Sequence, residues 1–94
     1  MEKLKNKMGY RILDVKVGKV YLEANKLAIK RKKIRAGKVR YLKNVFVLDA
    51  HTLITGKENK TVQLSEIKVG NRVTIDFIKT QDKKLLAKGI SILN

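Results

Sequence analysis

The sequence predicts an all-β protein, a small closed or nearly closed barrel of five or six strands with at most a short helical turn. Three observations predict it. Val, Ile, Thr, Tyr and Phe recur in short alternating runs broken by Gly, Asn and Asp. Turn signals return every 8–12 residues, as small barrels and sandwiches require. Proline is absent from all 94 residues, which suits a meander of strands joined by tight turns.

Taken in order, Tyr10–Val17 reads as the first strand, with Gly18 as a turn. Lys19–Ala24 reads as the second, with Val20, Leu22 and Ala24 on one face and Tyr21 on the other. Asn25-Lys26 turns the chain into Leu27–Lys32. Ala36-Gly37-Lys38 is the next turn. Val39–Leu48 carries the strongest apolar run, Val45-Phe46-Val47-Leu48, and Phe46 is assigned to the core. His51–Gly56 is extended or turning. Leu64 and Ile67, three apart in Gln63–Ile67, fit a single helical turn that plugs one end of a barrel. Val73, Ile75 and Phe77 alternate with Arg72, Thr74 and Asp76, the pattern of a half-buried strand. Asp82-Lys83 turns into Leu86–Leu93. No internal repeat or domain boundary is visible. Residues 1–8 are expected to form a flexible basic arm ahead of a single domain spanning 9–94.

The composition excludes several classes. No apolar run approaches the length of a transmembrane helix, and the first residues lack the apolar stretch of a signal peptide. Zero Cys excludes a disulfide scaffold, thiolate metal sites and Cys nucleophiles. His51 is alone, the eight carboxylates are scattered, and the six glycines are isolated rather than gathered into a phosphate loop. The sequence therefore predicts no catalytic residue, no metal site and no cofactor, and a protein that is not an enzyme. His51 is expected in a turn with its ring exposed.

Charge is the strongest functional signal. The net charge is +15, well above the magnitude of about 2–8 that suits a small soluble domain. Between Glu23 and Asp49 there is no acidic residue, while the same 25 residues hold nine basic ones. Crowded like charges repel, and a polyanion relieves the repulsion. Tyr21 and Tyr41 lie beside the charge, as in a platform that stacks bases. The sequence thus points to nucleic acid, or another polyanion, held through phosphate charge with low sequence specificity. Lys30, Arg31, Lys32, Lys33, Arg35, Lys38 and Arg40 supply the contacts, and Tyr41 and Tyr21 stack. Because strand residues alternate faces, the cations should lie on both sides of a basic hairpin near Ala36-Gly37.

Three stretches also follow a known pattern. They are Val47-Leu48-Asp49-Ala50-His51-Thr52-Leu53-Ile54, then Leu64-Ser65-Glu66-Ile67-Lys68-Val69-Gly70-Asn71-Arg72-Val73-Thr74-Ile75, then Lys84–Ile92. They resemble small bacterial barrel domains with a V-x-x-x-T-x-I … L-x-x-L-x-V-G-D-x-V-x-V … A-x-x-I-x-V signature. The resemblance covers residues 45–93 and fits Gly9–Glu23 more weakly. It implies an OB-like barrel. Many of those domains are exported and have no assigned function, and a distant cousin is the periplasmic copper-carrier barrel. That cousin's Met, His and Trp set does not carry over, since Trp is absent and His51 stands alone. Asn71 replaces the usual Asp.

Two readings of role follow. The first is a cytoplasmic nucleic-acid-binding barrel, able to form homo-oligomers through strand edges. The alternative is an exported envelope or extracellular structural or assembly module whose signal peptide has been removed.

Overall fold

A computed structural model describes residues 9–94. Six strands follow in order: β1 (Tyr10–Tyr21), β2 (Lys26–Arg35), β3 (Lys38–Val47), β4 (Leu53–Thr55), β5 (Arg72–Lys79) and β6 (Leu85–Ile92). They form one sheet in the order β3-β2-β1-β5-β6-β4. A parallel pairing of Phe46–Val47 with Leu85–Leu86 joins β3 to β6 and closes five of the strands into a ring. The short β4 lies parallel to the far half of β6, from Leu53 opposite Gly89 to Thr55 opposite Ser91. The all-β barrel expected from the alternation is the fold found.

The strand boundaries differ from the sequence reading at one place. Gly18 is not a turn. It is the extra residue of a β-bulge inside a single twelve-residue strand, with Val17 opposite Ile29 and Lys19 opposite Ala28. A Cβ at Gly18 would come within 3.1 Å of the Lys30 Cγ, so glycine here admits a neighbouring side chain. Leu22 and Ala24 consequently fall in the turn after β1, not on a second strand. The six strands are completed instead by β4.

Two further bulges bend the ring. In β1, Leu13 and Asp14 stand where β5 has only Thr74. Asp14 has φ 53°, a left-handed conformation that Asp tolerates better than most residues. In β6, Lys88 is the extra residue between Ala87 and Gly89. Bulges raise local twist and curvature, and a five-stranded ring needs both.

The ring encloses a core of Val17, Leu27, Ile29, Phe46, Val73, Ile75, Ala87 and Ile90. Phe46 is buried as expected. Its ring packs edge-on against Phe77 at 4.9 Å between centroids, and Tyr10 stacks on the other side of Phe77 at 5.4 Å. The expected plug is a 3-10 turn at Leu64–Glu66. Its Leu64 and the following Ile67 are buried in the same core, and the Gln63 backbone N–H donates to Glu66 Oε2 at 3.3 Å.

Candidate functional site: a basic ribbon and the sheet face below it

β2 and β3 outrun the barrel. β2 pairs with β1 only as far as Lys30, and β3 meets β6 only at Phe46 and Val47. The two strands nevertheless pair with each other to the end, through Arg31–Leu42, Lys32–Tyr41, Lys33–Arg40, Ile34–Val39 and Arg35–Lys38. The result is a two-stranded ribbon turned by Ala36 and Gly37, both with positive φ. Every residue from Lys30 to Lys43 is exposed.

Directly paired residues of an antiparallel ladder point to the same face. One face of the ribbon therefore carries Lys30, Lys32, Ile34, Val39, Tyr41 and Lys43. The other carries Arg31, Lys33, Arg35, Lys38, Arg40 and Leu42, and continues inward as Ile29 and Leu27 of the core. All seven cations proposed from the sequence lie on this ribbon or at its root, but the structure divides them between two opposed faces.

At the foot of the first face the charge spreads onto the barrel. Lys43 is opposite Lys30, Lys30 opposite Lys16, and Lys16 opposite Arg72. Four cations thus form one row across four adjacent strands. Sequence reasoning missed Lys16 and Arg72, because no local pattern reveals cross-strand register. Among the described residues, only Arg72 of the four has a carboxylate partner, a bidentate contact from its guanidinium to Asp14. These hydrogen bonds hold the Asp14 carboxyl below the ordinary carboxylate range and raise Arg72. An open concavity of about 410 Å³ lies here, lined by Asp14, Lys16, Lys30, Lys32, Tyr41 and Arg72.

The tyrosines do not form one platform. Tyr41 stands on the ribbon with 69% of its surface exposed. Tyr21 pairs in register with Lys26, six residues along β2 from the partner of Tyr41, or about 20 Å. Its hydroxyl lies 3.3 Å from Lys43 Nζ, and Lys19 Nζ sits 5.1 Å from its ring centroid.

His51 lies in a turn and is exposed. The Asp49 carboxylate accepts the His51 backbone N–H at 2.8 Å. That bond is the main reason the Asp49 carboxyl sits below its ordinary range. The Thr52 hydroxyl donates to the Ala87 carbonyl at 2.6 Å, which ties the turn to β6. This arrangement builds a loop. Among the described residues no three His, Cys, Asp or Glu side chains gather as metal ligands, and no helix is long and apolar enough to cross a membrane.

No protein-family model and no curated protein match the chain. Solved structures of one barrel, CusF, do. A crystal structure of CusF with silver(I) is 21% identical over 90% of this chain and 97% of that one, with a TM-score of 0.63. The metal-free protein from Escherichia coli is 21% identical, with both chains covered completely and a TM-score of 0.62. A tryptophan-to-alanine variant of the same protein with copper(II) is 19% identical over 99% of this chain and 100% of that one, at a TM-score of 0.64.

The comparison corrects the expectation of nucleic acid as partner. The barrels that share this fold are metal-bound proteins, with silver(I) or copper(II) in their structures. The geometry agrees in one respect, since the tyrosines are too far apart to stack successive bases. Homo-oligomerisation through strand edges is set aside as well. At the ribbon's open edges a second copy would bring like charges together. The chain's similarity is to the CusF barrel, and at this level of identity it is a similarity of fold.

Proposed function

We propose that this protein is a non-catalytic module of the cell envelope or the extracellular space, with a structural or assembly role exerted through the β2–β3 ribbon. The single observation that carries this is the ribbon itself. Five residue pairs project past the barrel, all exposed among the described residues and with no acidic residue among them. A segment that adds repulsion to the fold and nothing to its core is explained by something it docks on. The envelope setting draws on the exported barrel domains whose signature the chain resembles, and it replaces the cytoplasmic expectation.

The metal bound by the CusF structures does not transfer to this chain's donors. Soft monovalent metals take thiolate and thioether ligands, and copper also takes imidazole. The chain has no Cys, no Trp and one His, and its two Met are residues 1 and 8, outside the described structure. Among the described residues His51 belongs to no group of three His, Cys, Asp or Glu side chains that could hold a metal. The barrel is shared without a built site for the metal.

Two measurements test the proposal. Fractionation of native cells should recover the protein with the envelope or outside the cell, and shortening the ribbon at 31–42 should release it while the barrel still folds. Titration with silver(I) or copper(I) should show no tight one-to-one binding. Cytoplasmic recovery of both forms, or a stoichiometric metal complex, overturns it.

A further inference from the structure

We propose that the ribbon docks on an anionic lipid bilayer, with the face carrying Ile34, Val39 and Tyr41 toward the membrane. The inference rests on the ribbon being the working surface and names what that surface meets.

The order of residues along this face matches the layers of a bilayer interface. Farthest from the barrel is the cross-strand pair Ile34–Val39, 66% and 49% exposed. Next comes Lys32 with Tyr41, and then Lys30 with Lys43. Each step of two residues advances about 6.7 Å. The polar headgroup layer of one leaflet is about 5–8 Å thick, half the difference between the whole bilayer and its hydrocarbon core. With the ribbon laid obliquely on this face, so that each step sinks by only part of its length, and with Ile34 and Val39 at the acyl boundary, Tyr41 and Lys32 fall among the headgroups. Tyrosine prefers that depth, and a lysine there can extend its ammonium toward phosphate. Lys30 and Lys43 reach the outer phosphates, and Lys16 and Arg72 extend the same positive row onto the barrel. The concavity bounded by Asp14, Lys16, Lys30, Lys32, Tyr41 and Arg72 gives a phosphate headgroup a recess whose one carboxylate, Asp14, is already engaged by Arg72, leaving three lysines around it.

Charge complementarity selects the bilayer as occupant. A segment free of carboxylates for 25 residues is attracted to a negative surface, and each nearby cation adds to the attraction. A second copy of this chain is repelled by the same charge. A purely ionic partner leaves the Ile34–Val39 pair unused. The cations of the opposite face, Arg31, Lys33, Arg35, Lys38 and Arg40, add attraction over a Debye length without touching lipid.

The test is co-sedimentation of the full chain with large vesicles. Binding is expected to phosphatidylcholine vesicles enriched in phosphatidylglycerol, and not to phosphatidylcholine alone. The double variant Ile34→Ser/Val39→Ser should bind about tenfold more weakly, since the lost contact is apolar burial. Lys30→Gln/Lys32→Gln should weaken binding and flatten its salt dependence. All four residues are exposed, and circular dichroism confirms that each variant folds. Absence of binding to anionic vesicles at low salt overturns the lipid assignment. Equal binding by the Ile34/Val39 variant overturns it too, because the ribbon would then be reading charge alone. If native cells release the shortened-ribbon form while vesicles fail to bind, the ribbon docks on an acidic protein surface, and only the lipid assignment is lost.

Discussion

Lys16 and Lys30 face each other directly across the β1–β2 ladder, with Lys43 and Arg72 continuing the row on either side. Like charges opposed on a sheet face are destabilising, by roughly 0.2–1 kcal/mol for one pair. Folding overcomes this because the inward faces of the same strands bury Val17, Ile29 and Val73 almost completely.

The first prediction follows from that row. Lys30→Gln keeps the methylenes that cover Gly18 and removes one charge from the middle of the four. The variant should melt a few degrees higher than wild type at low ionic strength. The gap should close as salt rises, because screening already relieves the wild type. Thermal melts at two salt concentrations decide it. A variant less stable than wild type at low salt would show that the row does not repel.

A second prediction concerns the turn before β5. The Asn71 side chain accepts the Lys68 backbone N–H at 2.7 Å and donates to the Asn94 carbonyl at 2.9 Å. An Asp at this position can do the first and not the second. Asn71→Asp should cost about 1 kcal/mol, the scale of one hydrogen bond. Chemical denaturation measures it, and an unchanged midpoint sinks the idea. Gly70, with φ 95°, supports the same turn, since its backbone N–H donates to the Val17 carbonyl at 2.9 Å.

The third prediction is a pH dependence. Asp14, Asp49 and Asp82 are all held below the ordinary carboxylate range. The causes are hydrogen bonds from Arg72, from the His51 backbone and from the Thr80 hydroxyl respectively. A carboxyl lowered in the folded state contributes stability that is complete above its unfolded value of about 3.9. That contribution is lost as pH falls through the folded value. Stability should therefore hold steady from neutral pH down to about 4 and decline below it. The decline should be smaller in Asp14→Asn measured against its own neutral value. Urea midpoints across acidic pH test this, and a decline beginning near neutral pH would assign it to other groups.

The sequence by itself determined that this is a small all-β barrel with Phe46 in its core, a plug at Leu64–Ile67 and a basic hairpin turning at Ala36-Gly37. These are local matters. Alternation fixes which side chains turn inward, and a glycine such as Gly37, free to adopt positive φ, marks a turn between alternating runs. The excess of positive charge between Glu23 and Asp49 was equally plain, but its meaning was not. Only the tertiary structure decided that Gly18 is a bulge rather than a turn. Turn and bulge both call for a residue without a side chain, and the choice rests on Lys30, twelve residues away. Only the fold aligned Lys43, Lys30, Lys16 and Arg72 in one row, because register between strands depends on every bulge and turn between them. It also set Tyr21 about 20 Å from Tyr41 in register, and left Ile34 and Val39 uncovered at the far end. Those outcomes depend on where the barrel stops covering its own strands. That point is set by where β1 and β6 end against β2 and β3, and no short stretch of sequence encodes it.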